Sequence, residues 1–278
     1  MTSRERLFAV VDKLLVLLPK ETGFEPCSFV AFAYGDDDAG ENLRRSFRYE
    51  LDGCCAHVTV DGPRQSPWRR RLVRGFARAG YEPWLSDDES ADLRRWLRTA
   101  SDRRREMQLL AQLGAKGTLN RWPSRLKVAR PAPIEQGRWS RAQWARVIDE
   151  TRASPVNWDD VSICFSRSMT RAAPMTSGSV KITVSVLNDW DPRRGRTIFV
   201  FANVSDPGDR RQEAIPARVA RAFRRTLREN GFEPDGARSV RGRTIDRRRV
   251  GFHRRLTTEI SAVRAGKAVF DALVAVRV

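Results

Sequence analysis

Between Arg238 and Arg255 the chain sets eight arginines against a single acid, Asp246. A guanidinium offers five N–H donors in a planar fork that matches phosphate or carboxylate oxygens two at a time. Gly236 just before this stretch, and Gly242 and Gly251 within it, point to a loop or hairpin rather than a helix. Phe252 and His253 add planar groups able to stack on a base. Just upstream, Arg218, Arg221, Arg225 and Arg228 recur at spacings of three and four, opposite the Val219, Phe223 and Leu227 side of a helix. The candidate anion-binding set is therefore Arg218, Arg221, Arg225, Arg228, Arg238, Arg241, Arg243, Arg247, Arg248, Arg249, Arg254 and Arg255 as phosphate contacts, with Phe252 as the stacking group. Neutralising roughly six to ten phosphates makes association steeply salt-dependent. Smaller clusters lie at Arg69–Arg71 and Arg103–Arg105. A solvated basic face that serves solubility is the alternative reading of the same residues.

Other chemistry finds less support. Asp36, Asp37 and Asp38 lack the spacing and distal Glu of a calcium loop and read as a polar hairpin tip, as do Asp189, Asp191 and Pro192. Cys27, Cys54, Cys55 and Cys164 form no CxxC pair, and His57 and His253 are the only histidines, so no zinc set is evident. Cys55 and His57 share one face of a strand, but alternate residues sit about 7 Å apart there, which is strand packing rather than a nucleophile and its base. Neither a Gly-x-Ser-x-Gly elbow nor a Walker A or Gly-x-Gly-x-x-Gly loop occurs. The expectation is a non-enzymatic protein without cofactor or metal. Likewise, no helix-turn-helix, zinc-finger, RRM or KH signature occurs, so any nucleic-acid contact is expected to be non-specific.

The charge is one-sided. Residues 1–100 carry 16 basic and 16 acidic side chains, whereas residues 101–278 carry 36 against 18 and supply the whole net charge of +18. Such a surface attracts polyanions over a Debye length or more. The apolar run Leu14–Leu18 is too short to span a bilayer, no signal peptide is apparent, and unpaired cysteines fit a reducing cytoplasm.

The elements that would carry these residues repeat. Gly-aromatic-Glu-Pro occurs at Gly23–Pro26, Gly80–Pro83 and Gly231–Pro234, each time after a helical pattern. Glycine accepts the left-handed position past a helix end, and the residue before proline is pushed out of the helical region. The first copy reads as a helix over 3–19, with Leu7, Val10, Val11, Leu14, Leu15 and Leu18 on one face. Strands follow at Phe29–Tyr34, Ser46–Leu51 and Cys54–Asp61, then a helix opened by Ser66 and Pro67. Ser86 and Glu89 have capping-box spacing and predict a further helix through Leu93, Trp96 and Leu97, kinked near Ser101 and ending at Leu113–Gly114. The second copy opens with a Ser140–Gln143 capping box. Strands at Val161–Ser166, Val180–Leu187 and Thr197–Ser205 and helices over 216–230 and about 257–275 follow. Residues 114–138, rich in Gly, Pro and Arg, read as a linker. Trp122, Trp139, Trp144 and Trp158 crowd the linker and the start of the second copy, as packing between copies or as an anchor for a partner.

Leu72–Pro83 with Leu93–Trp96, and Phe223–Pro234 with Val269–Leu273, resemble the type III secretion chaperone-like fold of YbjN-like actinobacterial tandem domains. The resemblance implies a protein that binds other proteins or peptides, does no chemistry and can form homodimers.

The expected architecture is α+β, with two similar α-β-β-β-α-(x)-α units, antiparallel sheets and helices on one face of each sheet. The expected division is 1–113, a linker at 114–138, and a strongly basic unit at 139–278. The expected role is non-specific binding of nucleic acid or another polyanion by the second unit, away from membranes. The rival expectation is a chaperone-like adaptor for a protein or peptide partner.

Overall fold

A computed structural model describes residues 3–17, 22–36, 42–50, 53–113, 140–168, 179–188, 196–205, 212–213, 217–234 and 250–276. The expected linker 114–138 lies outside the described residues. The first half of the chain forms α1 (Ser3–Leu17), β1 (Glu25–Asp36), β2 (Asn42–Glu50), β3 (Gly53–Asp61), α2 (Pro67–Arg78), β4 (Glu82–Ser86), β5 (Ser90–Leu97) and α3 (Ala100–Leu113). The second forms α4 (Arg141–Arg152), β6 (Asp160–Ser168), β7 (Ser179–Asn188), β8 (Arg196–Ser205), β9 (Gln212–Glu213), α5 (Ala217–Glu229), β10 (Glu233–Pro234), β11 (Val250–Leu256) and α6 (Glu259–Ala275). The protein is a sheet-dominated α+β structure with antiparallel strand pairing. Among the described residues no helix is long and apolar enough to cross a membrane.

Two compact units emerge, and they do not follow the contiguous division. One, the terminal unit, joins Met1–Ser28 to Asp160–Val278; the other, the central unit, is Phe29–Asp159. The cut at 113/139 is therefore corrected. α1, which opens the first half, packs on α6, β6 and β7. α4, which opens the second half, belongs to the central unit, where Arg103 of α3 pairs with Glu150 at 2.9 Å. Periodicity announces that α1 has an apolar stripe but does not say which sheet covers it.

In the terminal unit the strand order is β10-β11-β8-β7-β6, with β9 on β8. β7 alternates as its β-branched residues dictate: Val180, Ile182, Val184 and Val186 are buried, and Lys181, Thr183 and Ser185 are half-buried. Ile198, Val200 and Ala202 of β8 and Val161, Ile163 and Phe165 of β6 continue this buried layer. Leu7, Val10, Val11 and Leu14 of α1 and Ala265, Val269 and Leu273 of α6 are buried as well. At the α1–α6 crossing, a Cβ on Gly266 would lie 3.1 Å from Lys13 Cβ.

In the central unit the order is β1-β2-β3-β5-β4. The helix expected from Ser86 and Glu89 is corrected here: residues 82–97 form the β4–β5 hairpin, and only Ala100–Leu113 is helical. Asp87 explains the difference. Its Oδ1 accepts the backbone N–H groups of Glu89 at 2.9 Å and Ser90 at 2.5 Å, which makes a turn out of a sequence with cap spacing. Ala91, Leu93 and Leu97 then bury with period two opposite β3. Arg69 of α2 closes the same turn. Its guanidinium donates to the carbonyls of Gly62, Asp87, Asp88 and Ser90 at 2.7–2.9 Å and to Ser86 Oγ at 3.2 Å.

The three glycines of the repeated tetrapeptide share one backbone conformation. Gly23, Gly80 and Gly231 have φ of 66°, 87° and 78°. After α2, Tyr81 N donates to Phe76 O at 3.0 Å and Gly80 N to Ala77 O at 3.0 Å. After α5, Phe232 N donates to Leu227 O and Gly231 N to Arg228 O, both at 2.9 Å. These paired bonds satisfy carbonyls left over at the helix ends. Each aromatic after the glycine is buried, and each Glu-Pro opens a strand.

Two substitutions test this packing. Arg69→Lys replaces a fork by a point charge and leaves turn carbonyls unpaired, and it should lower unfolding free energy by about 1–3 kcal/mol in urea titration. Gly266→Val should force α1 off α6 and cost about 1–3 kcal/mol in the same assay.

Candidate functional site

α5 buries Val219, Ala220, Phe223 and Leu227 and turns Arg218, Arg221, Arg224, Arg225 and Arg228 to solvent. The five guanidinium groups make no hydrogen bond or ion pair with any described residue, and Glu229 is the one acid on the helix. Arg221, Arg224, Arg225, Arg228 and Glu229 line a shallow groove.

The remaining predicted residues divide. Arg238, Arg241, Arg243, Arg247, Arg248 and Arg249 lie outside the described residues. Phe252 is corrected as a stacking group: it is buried on β11 and meets Phe223 edge-to-face at 6.3 Å. Period-two alternation sends Phe252, Arg254 and Leu256 to one side of β11 and Gly251, His253 and Arg255 to the other. Arg254 is corrected as well, because its Nη1 donates to Asn230 O at 2.6 Å and its guanidinium lies 5.9 Å from the Phe232 ring. It fastens the end of α5 to the sheet. Arg255 is exposed.

The clusters at Arg69–Arg71 and Arg103–Arg105 split the same way. Arg69 and Arg103 are structural, whereas Arg70, Arg71, Arg104 and Arg105 are exposed. α2 thus carries a second exposed stripe of Arg70, Arg71, Arg74 and Arg78, and Pro67, Arg71, Arg74, Gly75 and Arg78 line a shallow groove on it. The charge balance of residues 1–100 hid this stripe, although the spacing of Arg70, Arg74 and Arg78 was visible. Trp144 and Trp158 are core residues of the central unit, and Trp158 Nε1 donates to Thr151 O at 3.1 Å. Trp122 and Trp139 lie outside the described residues.

A further cluster occupies the central sheet face turned away from α2 and α3. The inner face of that sheet is marked by Arg45, whose Nη1 donates to Leu110 O at 2.5 Å, and by Arg95, whose Nη1 meets Glu106 Oε2 at 3.0 Å. Glu106 also accepts from the Tyr81 hydroxyl. On the outer face, register aligns Arg48 with Cys55 and Trp96, Ser46 with His57 and Arg94, and Arg44 with Thr59 and Asp92. Trp84, from the bulge in β4, lies edge-on to His57 at 5.2 Å. The Arg94 guanidinium sits 5.3 Å from the Trp84 ring and 5.8 Å from the Trp96 ring. Arg48 Nε, His57 Nε2, Asp92 Oδ1 and Arg94 Nε are buried without a hydrogen-bond partner. Sequence reading missed this group because its members come from β2, β3, β4 and β5.

The terminal sheet also has an outer face. Phe199 and Phe201 lie parallel at 6.0 Å, and Phe199 is 5.8 Å from His253. In the same unit Cys27 Sγ donates to Cys164 O at 3.4 Å. Hydrogen bonding between the two thiols holds Cys164 down at about 7 and pushes Cys27 up. Cys27, Cys54, Cys55 and Cys164 form no disulfide. No family model, curated protein or solved structure matches the chain.

Burial, followed by the positive field of Arg48, pushes His57 down to about 4. A histidine depressed in the folded state is neutral there but binds a proton when unfolded, so stability falls as pH drops from about 6.5 towards 4. The loss is about 3 kcal/mol once both values are passed. His57→Asn should flatten the pH dependence of the urea midpoint across this window.

Proposed function

We propose that the chain binds a polyanion, nucleic acid above all, without sequence readout and without chemistry. The observation that carries this reading is the exposed face of α5, where Arg218, Arg221, Arg224, Arg225 and Arg228 have no partner among the described residues. This helix lies in the part of the chain that supplies the entire net charge of +18. Like charges crowded on one helix destabilise it slightly, and a polyphosphate removes that cost while releasing counterions. Arg255 and the arginines from Arg238 to Arg249 add to the cationic charge of this part of the chain.

The proposal also takes the two halves as copies of one unit. Each runs α-β-β-β-α-β-β-α apart from the short β9. Glu82 pairs with Arg94 as Glu233 pairs with His253. Arg70 and Arg74 precede Gly80 by the same ten and six positions as Arg221 and Arg225 precede Gly231. On this view α2 is the weaker counterpart of α5.

A chaperone-like adaptor is the second reading. In its favour, β4 is exposed along its whole length and presents Trp84 and Leu85. Salt separates the two readings, because apolar docking is insensitive to it.

Duplex DNA, single-stranded DNA and RNA titrated between about 50 and 300 mM salt should show a linear log–log loss of affinity. Changing Arg218, Arg221, Arg225 and Arg228 together to Gln should reduce the slope for duplex by about 3–4. An unchanged slope in that variant defeats the proposal.

A further inference from the structure

We propose that the outer face of β2-β3-β5-β4 in the central unit is a stacking site for unpaired bases, so that the nucleic acid bound is single-stranded. The inference rests on the polyanion reading and adds a second, chemically different contact to it. Three observations carry it.

The first is the aromatic surface. Trp84 is 44% exposed, an unusual position for the largest apolar side chain, and Trp96 is half-buried beside it. The Arg94 guanidinium lies near both rings, so an indole, a guanidinium and an indole follow one another across the sheet. Indole faces and guanidinium planes are the groups on which bases stack, and β-sheet faces are a recurrent platform for them.

The second is the mixture of unused polar atoms. Arg48 Nε and Arg94 Nε are donors, Asp92 Oδ1 is an acceptor, and His57 Nε2 is one or the other according to tautomer. His57 is 7% exposed, yet this nitrogen has no partner. Buried polar atoms are nearly always satisfied, and these four, which solvent does not reach while Trp84 lies edge-on to His57, become available to a ligand with both donors and acceptors when Trp84 turns outward to stack. A nucleobase edge has both; a simple anion or an aliphatic side chain does not.

The third is the charge. Arg44 is committed to Asp61 through two hydrogen bonds of 3.0 and 3.1 Å. Arg48 and Arg94 remain against Asp92 and Glu82, the latter directly opposite Arg94, so this face carries no net charge and selects for the base rather than for the phosphate. Duplex DNA hides its base faces in the stack, so only an unpaired strand can use the tryptophans.

The test compares four probes at one salt concentration: a dT oligonucleotide, the same length carrying abasic sites, a duplex of equal charge, and a heparin fragment. Wild-type protein should prefer the dT oligonucleotide over its abasic counterpart by about 10- to 100-fold. The Trp84→Leu/Trp96→Leu double variant should lose that preference while keeping heparin binding, and Trp84→Phe should retain most of it. Equal wild-type affinity for the dT and abasic strands overturns the inference without needing any variant. A parallel loss of dT and heparin binding in the double variant overturns it too, since the tryptophans would then act only through the fold. The polyanion reading fails separately, by an unchanged salt slope in the α5 variant.

Discussion

The left-handed glycine after α2 and α5 is the constraint on which both units depend. It ends each helix, turns the chain through a buried aromatic, and sends Glu-Pro directly into an edge strand. The edge strand in turn pairs with β5 or β11, whose register decides which side chains face outward. A residue with a Cβ pays about 1–2 kcal/mol at such a position. A slip by one residue would exchange the inner and outer sets of the neighbouring strand. Arg94 and His253 reach the outer faces because this turn is held.

Arginine serves two purposes that composition cannot separate. Arg45, Arg69, Arg95, Arg103 and Arg254 satisfy carbonyls or carboxylates within the fold. The arginines of α5 and most of those of α2 face water without such partners among the described residues. The distinction is one of acceptor supply. A turn such as Ser86–Ser90 exposes several carbonyls toward one point, and a fork of N–H groups fills it. A helix face offers little beyond the carbonyl one turn back, which Arg74 reaches at Arg70 O (3.2 Å), so most of its guanidinium donors are left for solvent or a ligand.

The exchange of first helices between units follows from the same physics as any amphipathic segment. α1 carries an apolar stripe and no information about its partner beyond shape, and Gly266 of α6 provides the close approach. α4 has a capping box of its own and joins the central unit, with Trp144 in the core there. Contiguity along the chain is thus a poor guide to which segments form one core.

The sequence by itself determined the local structure. Period-two alternation in β7, the Ser140 capping box, the Gly-aromatic-Glu-Pro stops and the Arg218–Arg228 stripe depend on neighbours within a few residues, and each was legible. The β4–β5 hairpin was not, because Ser86 and Glu89 have the spacing of a cap, while Asp87 and pairing with β3 decide otherwise. The fate of Phe252 and Arg254 was also decided by tertiary structure, since a strand face is inner or outer only once a helix covers it. The Trp84–His57–Arg94–Trp96 cluster was invisible for the strongest reason. Its members lie up to 39 positions apart, and only strand register places them on one face. Local periodicity is written in the chain, whereas adjacency across strands is a property of the folded sheet.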